Sequence, residues 1–569
     1  MNLLNKLLRR TRTYVAIGAM AIFSVLSYGF SEDYFEISKN LDIFSTLFRE
    51  LSMYYVDDAD PGKLMKKGID SMLESLDPYT NYIPESEIED YRFMTTGQYG
   101  GIGAGIRQRE DYVVITDPYE GYPAQKADIR AGDIILEVDG KSAKGKKSDE
   151  MSKILKGSAK TSVRLLIKRE GESAPIEKVV TREEIKIKSV PYSGMVSPGT
   201  GYIKLNQFTE SAGKDVKDAF MELKKNPDLK YIILDLRGNP GGLLNEAVNI
   251  ANIFIGKGQQ IVSTKGKIKE SDKIYRALDP AVDTQIPIAV LVNSGSASAS
   301  EIVSGAIQDL DRGIVIGQRT YGKGLVQTTR PLSYNSQLKV TTAKYYTPSG
   351  RCIQALDYTH RNEDGSVGKI PDSLITEFKT QAGRIVYDGG GVAPDVPVEA
   401  PGFSNIATTL LAKFLIFDFA TAYKQGHPSI APARDFRLAD SEFDEFTRFI
   451  ATKDYDYVSK SEKILNELKE NAEKEKAFED IKGEFEMLKN RLANNKKSDL
   501  IRFKAEVMQL LNEEIVSRYY FQKGKIELGL ARDEEVQKAI EILRDQKKYA
   551  SILSTGFKIP DAKGTQTKN

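Results

Sequence analysis

Three short aliphatic runs constrain this chain more than anything else in it: Tyr231–Leu236 (YIILDL), Ile288–Val292 (IAVLV) and Ile314–Ile316 (IVI). Each is apolar at nearly every position and too short for a core helix, the pattern of a strand covered on both faces. The first enters a tight loop, Arg237-Gly238-Asn239-Pro240-Gly241-Gly242, after which Leu243–Phe254 repeats apolar residues at helical spacing. The second enters Asn293-Ser294-Gly295-Ser296-Ala297 and then an amphipathic stretch, Ser298–Leu310. Strand, loop and helix, repeated, predict an α/β core over residues 186–403.

The 569 residues leave room for other domains around that core. Residues 1–30 begin with Lys6, Arg9, Arg10 and Arg12, with no acid before an apolar stretch from Tyr14 to Phe30. That order is the pattern of a secretory signal, and its length is also near the lower limit of a membrane anchor. Either reading exports the remainder, with the periplasm as the expected compartment. No cysteine stands directly after the apolar stretch, so a lipoprotein anchor is not expected. Residues 31–95 read as helical, with Leu41, Phe44, Leu47, Phe48 and Leu51 on one face and a stop at Asp77-Pro78.

Residues 96–185 change character, with the glycine-rich GQYGGIGAGI, the alternating DYVVITDP, then PAQKADIRAGDIILEVDG. This fits a small mixed domain on a curled sheet. No GK[ST] follows the glycines, so they are not a phosphate loop, and no long helix follows to complete a dinucleotide fingerprint. Their exposed N–H groups suit capture of a peptide carboxylate instead. Residues 404–569 are rich in Lys, Glu and Leu and predict an all-helical extension, its charge runs a solvated face or a partner surface.

Composition narrows the chemistry. Lys+Arg is 81 against Asp+Glu 80, so no global basic footprint for nucleic acid exists. The single cysteine, Cys352, forbids an internal disulfide and a thiolate zinc cluster. The two histidines, His360 and His427, sit in polar stretches of turn composition. No metal or cofactor is expected, and a serine hydrolase built here needs a base other than histidine.

Serine is abundant where a strand meets a helix, in SGSASASE at Ser294–Glu301. The first helical turn leaves N–H groups unpaired, and they favour developing negative charge. The bland reading is a close-packed corner with serine N-caps. Lys323 lies between Gly322 and Gly324 and enters an apolar run. A free lysine, with a pKa of about 10.4, is almost wholly charged at neutral pH. Burial favours the neutral form, which is a competent general base. Ser-Lys is a known variant of the triad logic. Residue pattern alone leaves Ser296, Ser298 and Ser300 as rival nucleophiles.

Taken together, SASASEI (Ser296–Ile302), TYGKGLVQ (Thr320–Gln327), LDLRGNPGGLL, KYYTPSGRCIQ, GGGVAPDV and SLDPYTNYI resemble the motifs of the bacterial C-terminal processing, or tail-specific, proteases. PAQKADIRAGDIILEVDG resembles that family's PDZ domain. The resemblance implies a multidomain α/β protein: a crotonase/ClpP-like protease core, an inserted PDZ domain, an N-terminal helical region and a C-terminal helical extension. It implies a serine endopeptidase with Ser298 as nucleophile, Lys323 as general base and Gln327 orienting the lysine. Asp309 supports the site. The oxyanion hole uses the N–H of Ala299 and of Gly241, with Gly242 a near rival. Gly101, Ile102, Gly103 and Ala104 form the carboxylate-binding loop of the PDZ domain. Cys352 is read as a neutral replacement.

The partners implied are protein substrates with free C-termini, an adaptor at the helical tail, and a second copy of the chain. Membrane contact is confined to the N-terminal segment. A silent PDZ scaffold and an acyl-CoA enzyme of crotonase type are the competing readings. Neither needs an intact Ser298, Lys323 and Gln327.

Overall fold

The computed structural model describes residues 34–399 and 402–560. The signal or anchor read in residues 1–30 lies outside the described residues. The chain divides into two compact units, residues 1–82 and 83–569. In the first, a helix over 34–54 leaves Phe35, Ile37, Leu41 and Leu47 exposed. A second helix, Pro61–Glu74, starts with Asp60 accepting the N–H groups of Gly62 and Lys63. Proline at the first helical position costs no hydrogen bond there.

Three larger cores lie among the described residues of the second unit. The largest is built on a six-stranded sheet in the order Tyr192–Ser197, Thr200–Lys204, Tyr231–Asp235, Ile288–Val292, Ile314–Gly317, Val396–Pro397. Its first pair is antiparallel and the rest are parallel. Alternation along the strands divides their side chains between two faces. Ile232, Leu234, Val290 and Val292 pack with the helices Ala212–Leu223, Leu244–Phe254 and Ala299–Asp309. Ile233, Ala289, Leu291, Ile314 and Ile316 pack on the other side with Val536, Ala539, Ile540 and Leu543. The second cover of this sheet is therefore the helix Glu534–Arg544, from the far end of the chain. Both-face burial explains why the central strands are continuously apolar. A separate antiparallel sheet, which includes Gln260–Gly266, Leu325–Pro331 and Gln337–Tyr346, stands beside the core.

The glycine-rich region forms its own curled sheet in the order Ala104–Arg109, Tyr112–Pro118, Ile134–Val138, Ser162–Lys168, Ile176–Thr181. Val113, Ile115, Ile135 and Leu165 fill its core with Met151 of the helix Ser148–Leu155. Ala104–Arg109 is an edge strand. The third core is helical, built from Asn405–Ala412, Leu415–Gly426, Asp440–Ile450 and the long Lys504–Leu530. Among the described residues no single helix is long and apolar enough to cross a membrane.

Arg109 joins the curled sheet to the helical core. Its guanidinium holds both oxygens of Asp418 at 2.7 Å. Arg107 and Arg109 both stack over the Phe414 ring.

Candidate active site

The strand Ile288–Val292 ends in a turn that puts three serines at every second position, and their surroundings differ. Ser296 is fully buried and its hydroxyl donates to Leu236 O at 2.8 Å. Ser300 is fully buried and donates to Asn239 O at 2.9 Å. Both hydroxyls staple the turn to the loop that follows Tyr231–Asp235. Ser298 alone of the three is half-exposed and lines a cleft of about 360 Å³.

Ser298 is not the first helical residue that its sequence suggests. It precedes the helix Ala299–Asp309 at φ 54°, ψ −111°, a conformation L-residues avoid. Such a turn costs on the order of 1–3 kcal/mol and persists only where the surroundings over-determine it. Here its N–H donates to Glu301 Oε2 at 2.8 Å, and its carbonyl accepts the Tyr345 hydroxyl at 3.1 Å. Burial holds the Tyr345 phenol well above its ordinary pKa, so it stays a donor. Gly241 packs against the turn. A Cβ there would stand 2.9 Å from Ser298 Cβ and 2.7 Å from Ala297 O, and its φ of 99° favours glycine independently.

Glu301 was not singled out by sequence reasoning, yet it organises the site. It is fully buried. Its Oε2 accepts the N–H of Ser298 and, at 2.9 Å, that of Lys323. Its Oε1 accepts Thr320 Oγ1 at 2.5 Å and the N–H of Gly322 at 2.7 Å. Burial pushes its pKa up to about 7, while the four donors pull the other way. The one available signal was the Ser298-x-x-Glu301 spacing, which matches a capping box.

Lys323 and Gln327 line the same cleft as Ser298. A bulge between Val326 and Gln327 interrupts the pairing of Leu325–Pro331 with Gln337–Tyr346. Bulges re-aim side chains, and Gln327 Nε2 donates across the pair to Thr341 Oγ1 at 3.2 Å. Leu243, Ile302, Leu325 and Val326 give the cleft an apolar wall.

The two candidate oxyanion glycines differ in a way that reverses the expected preference. The N–H of Gly241, the first choice from sequence, already donates to Asn239 Oδ1 at 2.9 Å. Gly242 is exposed in the cleft, and its N–H donates to no protein acceptor among the described hydrogen bonds. Ala299 is the first residue of its helix, where amides lack an internal acceptor.

Asp309 lies at the other end of that helix, away from the cleft. It binds Arg351 at 2.8 Å and the N–H of Ser349 at 3.1 Å, fixing the turn after Gln337–Tyr346. Cys352 is mostly buried and its thiol pKa is raised by that burial, which disfavours the thiolate. His360 is exposed near the end of the strand Leu356–Arg361 and bonds Asp357. His427 stacks on Tyr423 in the helical core. Neither histidine lines the cleft. Among the described residues no cluster of His, Cys, Asp or Glu is arranged for a metal ion.

In the curled sheet, Ile102 and Gly103 link the strands Gln98–Gly101 and Ala104–Arg109. Their carbonyls accept the N–H groups of Ala124 and Tyr119, while their own N–H groups donate to no protein acceptor among the described hydrogen bonds. Gly103, at φ 73°, has Tyr122 Cβ 2.6 Å from where a Cβ would be.

The chain is similar to known proteins along much of its length. Residues 199–360 match Peptidase family S41, 114–169 match a PDZ domain, and 406–543 match the C-terminal helical domain of a group described as probable PDZ-proteases. A carboxy-terminal-processing protease of Bartonella bacilliformis is 39% identical over 324 residues, 56% of this chain and 74% of the relative. The chain belongs to the carboxy-terminal-processing proteases of family S41. Membership makes it a serine-type peptidase.

A probable CtpA-like serine protease of Staphylococcus aureus is 40% identical over 318 residues, 55% of this chain and 62% of the relative. The chain thus spans less than two thirds of that staphylococcal relative. Among solved structures, a photosystem II D1 C-terminal processing protease is 29% identical, with 62% of this chain and 86% of that one covered at a TM-score of 0.35. The PDZ domain of a carboxy-terminal protease from Vibrio cholerae, solved with a peptide, is 28% identical and covers 16% of this chain and 99% of its own, at a TM-score of 0.15.

Proposed function

We propose that this S41 peptidase cleaves exported proteins recognised by their C-termini, through a Ser298–Lys323 acyl-enzyme mechanism. One observation carries the reading: Ser298 lines the cleft with Lys323 and Gln327, while Ser296 and Ser300 are buried with their hydroxyls engaged. Neutral Lys323 takes the proton of Ser298 Oγ as the oxygen attacks the scissile carbonyl. The tetrahedral oxyanion accepts the N–H groups of Ala299 and Gly242. Lys323, now charged, gives its proton to the leaving amine as the C–N bond breaks. A water then hydrolyses the ester, returning the proton to Ser298 Oγ through the lysine. Each oxyanion donor contributes roughly 3–4 kcal/mol to the transition state. Gln327 orients the lysine.

The curled sheet supplies recognition in this reading. A substrate C-terminus adds as a strand along Ala104–Arg109, its carboxylate on the amides of the loop at Gly101–Ala104. The edge position of that strand and the unengaged amides of Ile102 and Gly103 support it. Export rests on the basic-then-apolar order of residues 1–30.

The test uses an unfolded reporter with an apolar C-terminus, free or amidated. Wild type cleaves the free form and cleaves the amidated form at least about tenfold less efficiently. Ser298→Ala and Lys323→Ala cleave neither. Cleavage by Ser298→Ala removes the nucleophile assignment, and equal cleavage of both reporters removes C-terminal capture.

A further inference from the structure

The oxyanion loop begins at Arg237, and nothing in the mechanism above uses that residue. Its surroundings are unusually determined. The main-chain N–H donates to Asp235 Oδ1 at 2.8 Å, and the carbonyl accepts Lys204 Nζ at 2.8 Å. The guanidinium donates to Asp235 through Nε at 3.0 Å and Nη2 at 2.6 Å. Its remaining capacity goes to the helical extension: Asp533 at 2.7 and 3.0 Å, and Glu535. These side chains are largely out of water, with Arg237 15% and Asp235 1% exposed.

The two distant acids sit at the start of the helix that covers the second face of the peptidase sheet. Asp533 caps it, accepting the N–H of Val536 at 3.1 Å, so the acid cannot drift without the helix. Glu535 is buried with Oε1 unpartnered, while Oε2 meets Arg237. A carboxylate oxygen buried without a donor works against stability. Beyond Arg237 the loop is short and tied down. Gly238 N–H donates to Asn293 Oδ1 at 2.9 Å, and Asn239 O accepts the N–H of Ala297 at 3.0 Å. These ties make Gly238 and Asn239 one stiff piece with the nucleophile turn, so a displacement at Arg237 reaches Gly242 only by moving that piece.

We propose that Arg237 is a positioning residue for the oxyanion loop, held in register by Asp533 and Glu535 of the C-terminal helical segment. The proposal rests on the assignment of Gly242 as an oxyanion donor. Asp235 alone can anchor the start of the loop. The distant pair fixes the guanidinium, and through Asp235, whose carboxylate accepts both the guanidinium and the Arg237 N–H, it bears on the start of the loop. The helical extension is then part of the catalytic module and is not an appendage to it.

The experiment uses the full chain with Asp533→Asn and Glu535→Gln, singly and together, beside Arg237→Lys and Ser298→Ala. Each carboxylate-to-amide change keeps shape and leaves Asp235 in place. The readouts are kcat and KM on the unfolded reporter, inhibition by a peptide aldehyde that forms a tetrahedral adduct, and the melting temperature. The double variant is expected to melt cooperatively and to lose about 10- to 100-fold in kcat with KM within about threefold, the scale of a small misplacement at a reacting centre. Aldehyde affinity falls in parallel with kcat/KM. Arg237→Lys keeps the charge, loses the fork, and shows the same split.

A folded double variant with wild-type kcat overturns the proposal, as does one whose kcat falls while aldehyde affinity holds. If the double variant does not fold, Glu535→Gln and Arg237→Lys decide by the same criteria. Activity in Ser298→Ala would instead defeat the underlying mechanism, whatever the tail variants do.

Discussion

The backbone amides of Ser298 and Lys323 share one atom: Glu301 Oε2 accepts both, at 2.8 and 2.9 Å. A single carboxylate oxygen thus joins the strained turn carrying the proposed nucleophile to the loop carrying the proposed base. Glu301→Gln keeps the volume but turns an amide NH2 toward donors, so at least one of the four N–H and O–H groups loses its acceptor. The variant is expected to lose about 100-fold in kcat with a small change in KM, since misplacement and not binding is the defect. Steady-state kinetics on the unfolded reporter check this, with circular dichroism to confirm folding. Wild-type kcat in a folded Glu301→Gln protein would show that the shared oxygen does not set the geometry.

The same carboxyl makes stability depend on pH with a definite sign. Burial lifts Glu301 from an ordinary 4.5 to about 7. The native state therefore holds more protons than the unfolded chain between those values. Its contribution to stability is fully present below about pH 4.5 and is lost as pH rises through about 7. Melting temperatures of wild type minus Glu301→Gln, taken from pH 4.5 to 8, should fall across that window and level off above it, with other groups cancelling in the difference. A flat difference would mean that the donors outweigh burial and keep the carboxylate charged throughout.

What the sequence made legible follows from where each constraint lies. Continuous apolar character in Tyr231–Leu236 and Ile288–Val292 required a cover on both sheet faces, and both faces are covered. The identity of the second cover was not legible. An amphipathic helix reads the same whether its apolar stripe meets its own bundle or a sheet about 300 residues upstream, and Glu534–Arg544 meets the sheet. Ser296, Ser298 and Ser300 were indistinguishable by residue pattern because the difference is a backbone turn enforced by Gly241, Tyr345 and Glu301. Glu301 was not singled out because its burial is imposed by the distant Thr320–Lys323 loop. The choice between Gly241 and Gly242 depended on the side chain of Asn239, which no spacing reveals.

The three serines give a graded expectation. Ser298→Ala should reduce cleavage to background. Ser296→Ala and Ser300→Ala each remove one of two donors to the carbonyls of Leu236 and Asn239, and Ser296→Ala also removes the acceptor of the Asn293 N–H, at about 0.5–1.5 kcal/mol for each lost bond. Both should stay folded, with lower urea midpoints, and cleave within about tenfold of wild type. Parallel denaturation and activity assays on the three variants check the ranking. Background activity in a well-folded Ser300→Ala or Ser296→Ala protein, with Ser298→Ala active, would move the nucleophile.

Leu543 tests whether the last helices belong to the peptidase core. The residue is fully buried and packs with Ile233, Leu291 and Ile316 of the central sheet. Truncating a buried leucine to alanine costs about 2–5 kcal/mol, through lost transfer energy and the cavity left behind. If the extension only served an outside partner, Leu543→Ala would leave the sheet's stability unmoved. Because its side chain completes the second face of that sheet, the expected result is a lower urea midpoint for the whole peptidase unit, read by loss of activity and of circular dichroism at the same denaturant concentration. An exposed apolar residue of the extension, Leu468 at 48% exposure, supplies the control: Leu468→Ala should shift the midpoint little. Equal small shifts for both would mean that the sheet's second face does not depend on the helix that lies on it.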